Sequence, residues 1–451
     1  MLVTKLQPHQ DEALAYIKDD HDPCLLAMFK GSGKSLVALA YAESLQAKII
    51  LITADKNNIL NTWQDQVFQH TDYEVLMLPK GKALRMFIGI NIPAKPTCIL
   101  VNYDWLNNHW RDYADIHFDL WIADEIANLK DQRTQRFKST RKLTCLIPHK
   151  VGLSGEVMTE RLTDVYGQIT ILDGGIHFGS FTRFLNRYMY ADPNGYDWIP
   201  KRSAFTILQR DIKDMSYWLK ETPSIVMPRS VYHVVEVDKT KVQRRMDDEL
   251  QRTFAASFEG ASLETNYAPV VYQKRLQICG GTLHAKDESD APISILTIPT
   301  EKGRVLAQII KGNPKSRIVV WHTYILETKL LALRLSGLDV KVFIFDDVEK
   351  LSVLEAFSRS RPPSILLIRT SMCSGLNQLA DADIAVFYSN PLSYQRRSQA
   401  EGRTRRLDTK NPVTHYVDIV TKGGADQHVY HALKQKKSFS MTLTNLRQFC
   451  K

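Results

Sequence analysis

CLLAMFKGSGKSLVALA, residues Cys24 to Ala40, reads as a buried strand, a glycine-bearing loop and the start of a helix. Cys24 to Met28 is a short continuous apolar run, and Leu36 to Tyr41 is apolar at the length a packed helix needs. Between them, Gly31, Ser32, Gly33, Lys34 and Ser35 fit a phosphate-binding loop, with Met28 where many such loops carry their first glycine. Glycines let backbone N–H groups close around a triphosphate, and the helix N-terminus adds partial positive charge. Lys34 then reaches the β- and γ-phosphates, and Ser35 offers its hydroxyl to Mg²⁺. An ordinary Gly-Ser turn with a solvated lysine is the bland alternative; it leaves the strand before and the helix after without a reason.

A chain of 451 residues with 44% hydrophobic and 24% charged residues is globular in composition, long enough for about three folding units. No apolar run approaches a membrane span, and MLVTKLQPHQ lacks the apolar core of a signal peptide, so a cytoplasmic location is expected (host cytoplasm if viral). The six cysteines are scattered without a CxxC or Cys/His cluster, which argues against a structural zinc or a disulfide framework. Net charge of +10 points to a polyanionic partner, with simple solubility as the competing explanation.

Ahead of the loop, LQPHQDEALAYI places Pro8 at a helix start, with Leu14 and Ile17 in its apolar stripe. After it, apolar strands are expected at Lys48 to Asp55, Thr97 to Asp104, Phe118 to Glu125 and His149 to Gly155. Helical segments separate them, the pattern of a parallel sheet covered on both faces. Between about 171 and 300 the alternation is lost, and the segment reads as a mainly helical insertion and linker, with a charged amphipathic helix over Lys241 to Phe258 and an exposed loop over His284 to Pro292. Strand-helix alternation returns from 301 to 451, with strands at Ser316 to Tyr324, Asp339 to Asp347, Ser364 to Ser371, Asp383 to Asn390 and Thr414 to Val420. The expected fold class is α/β: two doubly wound parallel-sheet lobes, 1–170 and 301–451, flanking the insertion.

Two further constellations carry chemistry. Asp124 and Glu125 follow an apolar strand, at the carboxyl edge where open α/β sheets bind ligands. An Asp there can hold Mg²⁺ opposite Ser35, and the adjacent Glu can polarise a water for attack on the γ-phosphate; an acidic turn capping the next helix is the alternative. Far away, NPLSYQRRSQAEGRTRR (Asn390 to Arg406) crowds five arginines, with Arg403 and Arg406 at i, i+3 on one expected helix. Such guanidinium groups suit a γ-phosphate in the transition state or a nucleic-acid backbone, against a solvated basic helix as the alternative.

These residues together resemble the ordered motifs of superfamily 2 helicases, and among them the Swi/Snf-type DNA translocases. The matches are Gln10 after LQPH, AMFKGSGKS, Asp124-Glu125 with Leu129-Lys130, TADKNNILNTW, ILVNYDWL, GLSGEVMTE, FGSFTRFLNRY, RLQICGG, IVVWHTY, SMCSGLNQLADADIAVFYSNP and the Gln399/Arg403/Arg406 set. They run in the family's order over nearly the whole chain, and the compact size is similar to that of helicases carried by bacteriophages. The resemblance implies two RecA-like lobes with ATP and Mg²⁺ in the cleft between them. It implies that Gln10 reads the adenine, that Lys34 and Ser35 bind triphosphate and metal, and that Asp124 and Glu125 serve as metal ligand and catalytic base. Arg403 and Arg406 would be arginine fingers, Gln399 would lie beside the γ-phosphate, and Gly375 with Asn377 would belong to the motif linking nucleotide and nucleic acid. Thr53 to Lys56, Asn102 with Tyr103, His322 with Thr323, and Ser371 would touch the DNA backbone.

The chain departs from the family pattern at Glu156-Val157, where Thr-Pro is common, and at Ile126-Ala127, which lacks the usual His or Gln. Asp55 replaces a frequent Pro and Arg405 a frequent His. The implied function is an ATP-dependent translocase or helicase on double-stranded or branched DNA. A nucleic-acid-binding protein with a degenerate ATPase site and an RNA-directed helicase stand beside it.

Overall fold

A strand buried on both faces needs apolar side chains at every position, because alternate residues enter opposite cores. Strand β1 (Cys24–Met28) does so: Cys24, Leu26 and Met28 join one core, while Leu25 and Ala27 join the other. The computed structural model describes residues 2–55, 62–79, 84, 93–155, 157, 161–192, 198–219, 228–253, 255–258, 261–264, 268–286, 292–295, 298–346, 350–373, 376, 379, 382–405 and 411–435. The chain divides into two compact units, Met1–Val226 and Met227–Lys451.

In the first unit, β1 is joined by β2 (Ile49–Ala54), β3 (Glu74–Met77), β4 (Thr97–Asn102), β5 (Leu120–Ala123) and β6 (His149–Ser154). A short hairpin, β7 (Met189–Ala191) with β8 (Trp198–Pro200), stands apart, and β9 (Ser216–Leu219) closes one edge. The seven-stranded sheet has the order β3-β4-β2-β5-β6-β1-β9, and all its pairings are parallel. Every strand therefore ends at the same edge, which carries the loops that matter here. Helix α1 (Pro8–Lys18) starts on Pro8 and buries Gln10, Ala13 and Ile17 on one face. Helix α2 (Lys34–Ser44) is buried along Leu36 to Ala42. The remaining helices among the described residues of this unit are α3 (Gln64–His70), α4 (Tyr103–His109), α5 (Gln135–Thr144), α6 (Asp164–Asp173), α7 (Phe181–Tyr188) and α8 (Ala204–Asp211).

The second unit is built on a six-stranded, wholly parallel sheet of order β10-β19-β18-β15-β17-β16. These strands are β10 (Arg229–Val237), β15 (Arg317–His322), β16 (Lys341–Phe345), β17 (Ser364–Arg369), β18 (Ile384–Phe387) and β19 (Val413–Thr421). An antiparallel sheet of β11 (Ala255–Phe258), β12 (Ala261–Glu264), β13 (Leu283–Lys286) and β14 (Pro292–Ile295) lies in the same unit. Its helices are α9 (Lys241–Thr253), α10 (Ala268–Gly280), α11 (Lys302–Gly312), α12 (Ile325–Leu335), α13 (Lys350–Arg359), α14 (Tyr394–Thr404) and α15 (Ala425–Lys434). Among the described residues no helix is long and apolar enough to cross a membrane.

The α/β class with two parallel sheets is as expected, but the segment 171–300 differs from the expectation. Strands stand in it beside the expected helices. Its strand β9 pairs with β1, its strand β10 pairs with β19, and the antiparallel sheet sits within it. The expected helix over Lys241 to Phe258 ends at Thr253 and gives way to β11. The expected loop over His284 to Pro292 is flanked by paired strands β13 and β14, and its central residues 287–291 lie outside the described residues.

A buried polar hub organises the second unit. Glu327 on α12 is fully buried, and one carboxylate oxygen accepts from the N–H groups of Thr323 and Tyr324 (both 3.0 Å) and from Ser389 Oγ (2.6 Å). Lys302, 1% exposed, donates to Tyr388 O at 2.9 Å and pairs with Asp426 at 2.6 Å. Burial pushes the Glu327 carboxyl above its ordinary value, against the pull of those hydrogen bonds. A raised folded value means that the stability contributed by this group is present below the unfolded value, about 4.3, and is lost as pH rises through the folded one. Glu327→Gln is accordingly expected to flatten the melting temperature–pH profile, with variant minus wild type growing more positive from pH 5 to 8 in thermal melts.

Candidate nucleotide-binding site

The loop after β1 runs Phe29 to Gly33, with Gly31 (φ +82°) and Gly33 (φ +83°) in the left-handed region that favours glycine. At Gly33 a Cβ would meet Gln10 Nε2 at 2.0 Å, so the glycine serves both the turn and a close approach. Lys34 opens the eleven-residue helix α2, and its ammonium donates to Met28 O (3.0 Å) and Phe29 O (3.2 Å). Ser32 is fully buried, and its Oγ has no hydrogen-bond partner among the described residues. An unsatisfied buried hydroxyl, a glycine-lined turn and an open helix N-terminus are the features a phosphate would complete.

Gln10 braces this loop. Its Oε1 accepts from Gln7 N–H (2.9 Å) and its Nε2 donates to Ser32 O (3.1 Å); His9 Nε2 reaches the same carbonyl at 2.9 Å. The carboxamide expected to read a base is thus engaged with the loop backbone.

Strand β5 ends at Ala123, placing Asp124 and Glu125 on the same sheet edge as the loop, with β6 between β5 and β1. The main chain of Asp124 is pinned on both sides: its N–H donates to Thr53 O, and its carbonyl accepts from Tyr103 Oη, each at 2.8 Å. Its carboxylate accepts from Trp63 Nε1 at 2.9 Å. Burial and the neighbouring Glu125 push the Asp124 carboxyl up to about 6, against the opposing pull of the Trp63 N–H and of Lys34. Glu125 has φ +47° and ψ +55°, a conformation that costs a non-glycine residue about 1–3 kcal/mol and tends to persist at functional sites. The turn is held by Asn128, whose backbone and side-chain amides donate to Glu125 O at 2.9 and 3.1 Å. Ile126 and Ala127, the departures in this motif, are core residues; a Cβ on Gly152 of β6 would lie 2.6 Å from Ile126 Cδ1. Asp55 is drawn into the same acidic neighbourhood, its carboxyl raised by burial and by Glu125 and restrained by Arg136 and by a hydrogen bond from Asn128. Among the described residues no group of three or more His, Cys, Asp or Glu side chains is arranged to hold a metal ion.

In the second unit, Gln399 and Arg403 lie one turn apart on α14 and meet the chain that follows β17. Gln399 Oε1 accepts from Cys373 Sγ at 3.6 Å, and Arg403 Nη1 reaches Leu376 O at 3.5 Å. Arg397 has a different task. It is buried, holds Asp418, Glu401 (2.7 Å) and Asn390, and stacks 3.4 Å from the Phe387 ring. Burial opposes its charge, but Asp418 and Glu401 outweigh that and hold the guanidinium above its ordinary range. The helix ends at Thr404, Arg405 is extended and donates to Pro228 O at 2.7 Å, and Arg406 lies outside the described residues.

The residues expected to touch DNA are placed unevenly. Asn102 spends its Oδ1 capping α4, accepting from Trp105 N at 2.8 Å, and Thr53 accepts from Trp121 Nε1 inside the core. His322 differs most from the expectation: it is fully buried, with contacts to Tyr324 O and Thr328 Oγ1, and burial lowers its ring to about 3. A neutral, enclosed imidazole presents neither charge nor surface to a phosphate. Ser371 is exposed. Lys56, Glu156, Gly375 and Asn377 lie outside the described residues. Trp63, within the TADKNNILNTW stretch, is a neighbour of Asp124 that no local sequence signal points to.

A sequence model of the family described as "Type III restriction enzyme, res subunit" matches residues 4–154. The chain is similar to a Drosophila melanogaster protein named SWI/SNF-related matrix-associated actin-dependent regulator of chromatin subfamily A-like protein 1. The two are 21% identical over 97% of this chain and 55% of that protein. It also resembles a protein of Acanthamoeba polyphaga mimivirus named Putative helicase L115, 26% identical over 38% of this chain and 14% of that one. The chain spans about half the length of the first curated relatives it matches. Among solved structures, the Pyrococcus furiosus Hef helicase domain aligns over 96% of this chain and all of that one, with 13% identity and a TM-score of 0.56. That likeness establishes the fold, two RecA-like lobes.

Proposed function

We propose that this chain is a superfamily 2 helicase of the Swi/Snf type, which hydrolyses ATP and couples hydrolysis to movement along, or remodelling of, DNA. The observation that supports this reading most is the meeting, on one sheet edge, of the Gly31–Ser35 loop with the strained Asp124-Glu125 turn. The loop backbone and Lys34 would bind the triphosphate, Ser35 and Asp124 would hold Mg²⁺, and Glu125 would take a proton from the attacking water. Bound Mg²⁺ neutralises developing charge on the phosphate oxygens. Gln10, through Ser32 O, would keep the loop in shape beneath the nucleotide.

Arg403, Arg406, Gln399 and Gly375 of the second unit would serve the γ-phosphate, the arginines by stabilising transition-state charge. The net charge of +10 suits gripping a phosphate backbone with little base reading. Lys56, Asn102 and Ser371 remain candidates for that grip, and double-stranded or branched DNA is the proposed partner.

Steady-state ATPase assays with duplex, forked and single-stranded DNA, and with RNA, test the reading. DNA is expected to raise turnover at least about tenfold, with a stimulation that falls steeply between 50 and 200 mM salt, as phosphate gripping requires. Equal rates with and without DNA would defeat the translocase, and stimulation by RNA alone would favour an RNA-directed enzyme.

A further inference from the structure

We infer that Trp63 is a positioning residue for the metal ligand Asp124, an inference that rests on the proposed reading of this site. The indole N–H lies 2.9 Å from Asp124 Oδ2, a bond across 61 residues of sequence. The ring itself is immobilised: Trp63 is 1% exposed and belongs to the core that includes Met28, Ala54 and Val67. A donor held by packing on a rigid element fixes its acceptor more closely than one on a flexible stem.

The chemistry of the donor fits the task. Indole is a donor only, and it is neutral. It orients a carboxylate without cancelling the negative charge that a divalent cation needs, whereas a lysine or arginine at the same place would compete with the metal. The hydrogen bonds at Thr53 O and from Tyr103 Oη fix the main chain of Asp124, and the indole acts on its side chain. Outer partners of this kind are worth about 10- to 100-fold in metal affinity where they have been removed from metal sites.

Trp63→Phe keeps an aromatic ring in the core and deletes the donor. The test measures ADP binding to the full chain by calorimetry, with and without Mg²⁺, for wild type and variant. The expected result is an ADP affinity in EDTA within about twofold of wild type, with the Mg²⁺ concentration for half-maximal tightening raised about tenfold. An unchanged Mg²⁺ dependence in a folded variant would overturn the inference while leaving the nucleotide site standing. Absence of any Mg²⁺ effect in wild type would overturn the reading of the site itself.

Should Trp63→Phe fail to fold in a thermal melt, the wild-type chain labelled with ¹⁵N-tryptophan answers the same question. A slowly exchanging indole N–H that shifts when Mg²⁺ is added to the ADP complex supports the role. Indole resonances that all remain in place on Mg²⁺ addition would overturn it.

Discussion

Glu125→Gln lowers ATP turnover by about 10²- to 10⁴-fold and leaves ATP binding within a few-fold of wild type. The substitution keeps the shape of the side chain and the left-handed turn at φ +47°, held by Asn128, but removes the carboxylate proposed to accept a proton from water. Lys34→Ala is expected to fail differently. Its ammonium heads the loop beside Met28 O and Phe29 O, so its loss weakens triphosphate binding as well as turnover. Nucleotide-binding titrations run beside the ATPase assay separate the two: binding without turnover for Glu125→Gln, loss of both for Lys34→Ala. Measurable hydrolysis in wild type that both variants abolish would also dispose of the degenerate-site alternative.

Two arginines six residues apart on α14 are expected to give opposite phenotypes. Arg397→Ala leaves Asp418 buried without its fork of donors, and removing one partner of a buried ion pair costs about 3–5 kcal/mol. The result is a large fall in the denaturation midpoint. Arg397→Lys rescues it poorly, since an ammonium cannot hold Asp418, Glu401 and Asn390 in one plane. Arg403→Ala, six residues further on, is expected to leave the denaturation curve nearly unmoved and to lower DNA-stimulated turnover by about 10³- to 10⁵-fold, the worth of an arginine finger. Denaturation curves and ATPase rates on the two variants decide it, and a loss of stability in Arg403→Ala matching that of Arg397→Ala would return Arg403 to a structural role.

In the sequence those arginines form one set, because composition and spacing show charge, not partners. Asp418, which claims Arg397, lies on the next strand of the sheet. The same limit hid the engagement of Gln10 with Ser32 O and the enclosure of His322, whose place after an apolar strand resembles that of an exposed strand-end residue. Strand β10 was missed for a different reason. RSVYHVVEV has the β-branched density of a strand, but it sits in a segment without strand-helix rhythm, and its role appears only when its nine residues pair with β19.

The parallel sheets and the phosphate loop were determined by sequence alone. Five or six consecutive apolar residues find enough burial only between two covering layers, and the loop's chemistry is written in neighbouring residues, Gly31 to Ser35. Tertiary structure decided which polar groups serve the site and which serve the core. Trp63 with Asp124 and Arg397 with Asp418 are pairs made by packing, across 61 and 21 residues of chain, and a buried polar group takes its role from whichever partner satisfies it.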